Sequence, residues 1–232
     1  PLPPNVSDPF EDLKRKAYEG LKRKLGEIPE EYQRRLEYEL EVIKNTGFSG
    51  YFLIIGDIIR FCRERDIMVG IGRGSAAGSL VLYALDITDV DPLKYGLLFE
   101  RFLNPERVSP PDVDIDFEDR RRDEVIDYIR KTYGENSTAQ IITFSKLKSR
   151  AVLKDTARVY GMEFEKVNRI TKLIPNIPSD PITLAEAYEK VEDFKKAVSN
   201  PEWKEIVESA IRIENFTRGL SVHAAGIVIT PG

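Results

Sequence analysis

Apolar positions return every three or four residues through the first part of the chain, set among dense charge. Residues 8 to 45 predict two amphipathic helices separated by GEIPE, with Ser7 or Asp8 as the start signal and Pro9 in the first turn. They read as scaffold. The next stretch, YFLIIGDIIRFC, is far more apolar and predicts a helix over 49–65 packed inside. DIMVGIG has the composition of a short buried strand, and GIGRGSAAGS hands over to a helix over 75–85. At 111–117, PDVDIDF alternates strictly. A helix over 123–133 and a strand over 138–144 (TAQIITF) follow, the pattern then stays helical to Leu220, and VHAAGIVIT returns to strand.

This order describes an α+β chain: a mixed body over 1–143, a helical insertion over 144–221, and a return to the body over 222–232. No repeat or low-complexity tract interrupts it.

The alternating run poses the first chemical question. With period two, Asp112, Asp114 and Asp116 share one face while Val113, Ile115 and Phe117 share the other. Successive aspartates then lie about 7 Å apart, where like charges oppose ionisation. Either a divalent metal is gathered there or the acids form a solvated edge. A helix-loop-helix calcium loop is excluded, because its sixth and twelfth positions need glycine and glutamate and here hold Phe117 and Asp123.

Composition narrows the classes. The chain has 232 residues and a net charge of -4, so a case for nucleic acid rests on local clusters. Cys62 is the sole cysteine, which excludes an internal disulfide and a multi-cysteine zinc site and fits a reducing cytoplasm. No apolar run approaches a membrane span, so no membrane partner is expected, and PLPPNVSDPF lacks a signal pattern. The start without methionine and the strand-like end suggest a piece of a longer chain.

Three further features carry chemistry. In Gly70–Ser79, Gly72 and Gly74 permit close backbone approach and Ser75 is a natural N-cap, so the turn would suit a phosphate or, equally, be a capped helix start. It is not a Walker loop, since no lysine follows the last glycine. FERFLNPERVSPP brings Arg101 and Arg107 toward the acids, as phosphate clamps or as partners of Glu100 and Glu106. Between Phe144 and Lys172, eight Lys or Arg face three Asp or Glu, a backbone-binding signature that includes Lys146, Lys148, Arg150 and Lys154, unless it is a solvated helix face. The only histidine, His223, reads as structural.

GRGSAAGS, FERFLNPERVS, PDVDIDF, QIITF and HAAGIVI occur in the order and spacing of the C family of DNA polymerases, the bacterial replicative polymerase III alpha subunits. The chain resembles that family over residues 47–232. The resemblance implies a mixed-sheet palm like those of the DNA polymerase beta-like nucleotidyltransferases, with residues 144–221 as the thumb. By it, Gly74 and Ser75 hold the phosphates of a deoxynucleoside triphosphate, and Arg73, Arg101 and Arg107 are expected to join them on their own chemistry. Asp112 and Asp114 become catalytic ligands of two Mg²⁺ ions, with Asp116 in support. Primer-template DNA, and in the full-length protein a sliding clamp and other replicase subunits, are the implied partners. The third catalytic aspartate and the fingers are expected beyond Gly232, so the chain alone should not polymerise. The rival is a non-catalytic nucleic-acid-binding or interaction module.

Overall fold

The computed structural model describes residues 1–106, 110–177 and 179–231. The chain divides into two compact units, Pro1–Ala139 with Ile227–Gly232, and Gln140–Gly226. The sequence expected the divisions at 144 and 221.

The first unit begins with α1 (Pro9–Leu25), α2 (Glu30–Thr46) and α3 (Ser49–Glu64). The Asp8 side chain accepts from the Phe10 and Glu11 amides, Pro9 sits in the first turn, and Lys22, Arg23 and Lys24 complement the C-terminal dipole. The apolar stripes meet in a core of Leu13, Ala17, Leu21, Leu36, Leu40, Ile43, Phe52 and Leu53. Short α4 (Leu80–Ala84) adds Leu80 and Leu82 to that core, and α5 (Arg122–Tyr133) packs on α3 through Val125 and Ile129.

The helix expected over 75–85 is split. Gly74–Gly78 is a tight 3₁₀ turn and α4 starts only at Leu80, with Ser79 rather than Ser75 as its side-chain cap. Two glycines make this segment a poor helix former, and partners for the α4 amides come from elsewhere, as described below. The buried strand expected in DIMVGIG is absent as well. Only Val69 makes an antiparallel bridge, to Phe117, while Met68 and Ile71 are exposed. Among the described residues this bridge does not grow into a ladder of the mixed sheet expected for the body: beyond it Ile71 turns its carbonyl to the Asp89 amide at 2.8 Å, and the sheet of the chain is a separate pair of strands.

The second unit holds most of a two-stranded sheet, β1 (Thr138–Lys146) and β2 (Thr217–Ile229), and the helices between them. The Thr143 and Ser145 hydroxyls donate to the Ser221 and Gly219 carbonyls, an antiparallel register. Helices α6 (Ser149–Val159), α7 (Phe164–Lys172), α8 (Leu184–Lys190), α9 (Glu192–Ala197) and α10 (Pro201–Ile213) enclose a core around Trp203, Phe194, Leu153, Leu184 and Ile206. Most of both strands falls in this second unit, residues 138–139 of β1 and 227–229 of β2 lying in the first. Among the described residues no helix is long and apolar enough to cross a membrane.

Asp57 joins α3 to α5. Its buried carboxylate accepts from Tyr128 at 2.7 Å, Tyr133 at 3.1 Å and Arg60 at 2.6 Å, and Tyr128 stacks on Phe61 with ring centroids 3.9 Å apart. Burial, with Asp57 beside it, pushes the Tyr133 phenol far up. Asp57→Ala removes the shared acceptor of both hydroxyls and is expected to destabilise the chain by about 1 to 3 kcal/mol. Tyr128→Phe, which leaves the carboxylate two donors, should cost less, and urea unfolding followed by circular dichroism compares them.

Candidate active site

The alternation read from PDVDIDF is present in the structure. Val113, Ile115 and Phe117 are half-buried against the core while Asp112, Asp114 and Asp116 are exposed. The segment is extended but free of a ladder until its end, where Gly70 donates to the Asp116 carbonyl at 2.8 Å and Glu118 to the Met68 carbonyl at 3.1 Å. The three carboxylates are hard oxygen donors of the type Mg²⁺ takes. They lie along a line, and among the described residues no three Asp, Glu, His or Cys side chains gather round one point. The donor chemistry fits an ion that draws its other ligands from substrate oxygens and water.

What answers the acids here is Arg73. Its Nη1 lies 3.1 Å from Asp114 Oδ2 and its Nε 3.2 Å from Asp116 Oδ2. Asp112 is outside this pairing. With Arg73 56% and Asp114 50% exposed, the contact is worth no more than about 1 kcal/mol, so the guanidinium is readily redirected. Tyr51, which the sequence reading placed only in an apolar helix, hydrogen-bonds the Val113 backbone. Burial raises its phenol, and Asp112 and Asp114 raise it further.

Immediately after Arg73 the chain enters a cleft of about 480 Å³, lined on one side by Gly74, Ser75, Ala77 and Gly78 and on the other by Gly96, Leu97, Leu98 and Arg101. Gly74 has φ +65°, a conformation that favours glycine. Gly78 faces the opposite side so closely that a Cβ there would lie 2.6 Å from the Leu98 carbonyl oxygen. Because Ser79 caps α4, the exposed Ser75 hydroxyl is left to the cleft. Arg101 has no carboxylate within ion-pairing distance among the described residues, and Glu100 instead accepts from Tyr38 at 2.8 Å. Arg107 lies outside the described residues.

The walls are held from behind by α2. Glu39, fully buried, accepts from Ser79 Oγ at 2.9 Å, the Leu80 amide at 2.9 Å, the Val81 amide at 3.0 Å and Arg35 Nε at 2.7 Å. Burial raises its carboxyl, and these donors pull against the rise. Arg35 Nη2 donates to the Gly78 carbonyl at 2.8 Å and the Leu97 carbonyl at 3.0 Å. Neither residue was singled out in the sequence, where RRLEYE reads as one more charged helix face.

In the helical unit the basic residues divide. Lys146 and Lys148 are exposed, Lys148 making only a 3.4 Å contact to Asn215. Lys154 donates to Asn168 at 2.9 Å. Arg150 is committed to the fold, its Nε donating at 2.8 Å to the Ile174 carbonyl just past the end of α7, where a cation suits the dipole. His223 Nδ1 accepts from the Ala225 and Gly226 amides at 3.0 Å, a local backbone role that leaves the proton of the neutral ring on Nε2.

Fold and site define an α+β chain in which one arginine joins a glycine-lined cleft, suited to phosphate oxygens, to an acidic segment suited to divalent metal. The chain belongs to the bacterial DNA polymerase III alpha NTPase domain family, whose model matches residues 11–232. It is 51% identical over 213 residues to the DNA polymerase III subunit alpha of Bacillus subtilis strain 168, covering 91% of this chain and 19% of that protein. The corresponding subunit of Thermus aquaticus is 49% identical over 225 residues, covering 94% and 18%. That of Aquifex aeolicus strain VF5 is 44% identical over 247 residues, covering 95% and 21%. The chain thus spans about a fifth of the length of these curated relatives.

Arg150→Ala should lower the unfolding free energy by about 1 to 2 kcal/mol, since a half-buried carbonyl loses its donor. Lys146→Ala should leave it within about 0.5 kcal/mol, as surface changes do. Chemical denaturation of both variants provides the comparison.

Proposed function

We propose that this chain is the palm and thumb portion of a DNA-directed DNA polymerase that adds deoxynucleotides to a primer 3′ end. The observation that carries the reading is Arg73, which connects the glycine-lined cleft to Asp114 and so puts a phosphate-type turn beside the acidic face. Family membership supports it, since the family is described as the NTPase domain of bacterial DNA polymerase III alpha. In this reading the first unit carries the palm, related to those of the DNA polymerase beta-like nucleotidyltransferases, and the helical unit is the thumb.

Asp112 and Asp114 would hold two Mg²⁺ ions with Asp116 in support; when bound, such a pair stabilises the attacking and leaving oxygens of an in-line phosphoryl displacement. The chain's own residues do the rest. The Gly74–Gly78 turn and the Ser75 hydroxyl donate to phosphate oxygens, Arg73 and Arg101 neutralise them, and Arg107 belongs to the same set. Arg73 exchanges one anion for another: as the triphosphate enters, the guanidinium leaves Asp114 for phosphate and frees the carboxylate for its ligand role. Lys146, Lys148 and Lys154 are the proposed contacts to primer-template DNA. Arg150, whose guanidinium is engaged by the Ile174 carbonyl, is the remaining and least available member of the proposed set. A sliding clamp, other replicase subunits and a cytoplasmic location complete the proposal for the full-length protein, and the 232-residue chain alone is proposed not to extend a primer.

In the full-length polymerase, Asp112→Asn and Asp114→Asn should each lower single-turnover incorporation by about a thousandfold or more, the equivalent of several kcal/mol of transition-state stabilisation, with DNA affinity retained. Asp116→Asn should do less. Equal losses at all three positions would refute the ranking. Neutralising Lys146 and Lys148 together should weaken DNA binding uniformly across sequences and shallow its salt dependence by about one unit of slope per lost phosphate contact, measured by fluorescence anisotropy.

A further inference from the structure

The two sides of the cleft come from chain segments about twenty residues apart, and they are bolted to the same two side chains. Arg35 Nη2 uses its two N–H groups on two carbonyls, that of Gly78 at 2.8 Å on one side and that of Leu97 at 3.0 Å on the other. Its Nε is held at 2.7 Å by Glu39, which is fixed in turn by Ser79, Leu80 and Val81. A buried ion pair is a poor way to gain stability alone, because desolvation offsets most of the attraction and well-packed apolar residues do as well. What this pair supplies is direction. A planar guanidinium with its carboxylate anchored can lie in one orientation only, and that orientation sets the separation of the two carbonyls.

We infer that Arg35 and Glu39 are positioning residues for triphosphate binding, setting the width of the cleft between Gly78 and Leu97. The inference rests on the reading of that cleft as the nucleotide site. Neither residue touches the ligand; both act through the turn that does. Lysine at position 35 keeps a charge against Glu39 but has no fork with which to hold the carboxylate and both carbonyls together. Glutamine at position 39 retains one oxygen, for Leu80 with Arg35 or for Val81 with Ser79, and turns its N–H₂ against the donors of the other pair.

Full-length polymerase carrying Arg35→Lys or Glu39→Gln is assayed for KM of the incoming deoxynucleotide and for kcat per titrated active site, and the 232-residue chain with the same substitutions is melted. The expected result is a KM raised about tenfold, the scale of one charge-assisted hydrogen bond, with kcat within about twofold. A merely structural role would lower the fraction of active enzyme and leave KM alone. An unchanged KM in either folded variant, or failure of both to fold, overturns the inference. Ser75→Ala and Arg73→Ala are run alongside. If neither raises KM, the nucleotide reading of the cleft falls and the inference with it. If they raise it and Arg35→Lys and Glu39→Gln do not, only the role given to α2 fails.

Discussion

The carboxylate of Glu39 has no contact with solvent, and the first unit is arranged around that fact. A carboxylate withdrawn from water costs several kcal/mol unless its lone pairs are filled. Here they are filled by the first amides of α4, by the Ser79 hydroxyl and by Arg35. Because those amides are already engaged, α4 can begin only at Leu80, and the glycine-rich segment before it closes as a 3₁₀ turn. That leaves Ser75 facing a cleft instead of capping a helix. One buried acid thus decides where a helix starts, what shape the preceding turn takes and which hydroxyl is left available.

The acidic segment is anchored by the opposite principle. Its aspartates hold nothing in the core; Val113, Ile115 and Phe117 do, from the other face. Hydrophobic anchoring with few backbone bonds leaves three carboxylates displayed at a spacing where like charges resist one another. Arg73 relieves part of that repulsion through an exposed, weakly held contact. Under the proposed function, such a contact is one the site can give up to an incoming cation.

In the helical unit, a count of basic residues and a map of their partners say different things. Lys146 and Lys148 are displayed, whereas Arg150 terminates a helix and Lys154 is tied to Asn168. Local charge excess measures attraction for a polyanion in the aggregate. It does not tell which side chains are free to act on it.

Much of the architecture was legible in local pattern. Period 3.6 located α1 to α3 and α5, and period two placed the Asp112–Asp116 face and its apolar back, because side-chain direction follows backbone geometry alone. Motif order identified the family, since several separate motifs in one spacing are rarely matched by chance. What local pattern could not supply was pairing across the chain. Arg35 and Glu39 sit four apart on a charged helix, where the sequence reads an ordinary surface ion pair. Only tertiary contact, with partners about forty and sixty residues away, turns them into a buried clamp. The same holds for Ser79 displacing Ser75 as the cap, and for Val69 meeting Phe117 in a lone bridge rather than a sheet. A hydrogen bond between distant segments depends on the desolvation and orientation of both, and neither quantity exists until the chain has folded.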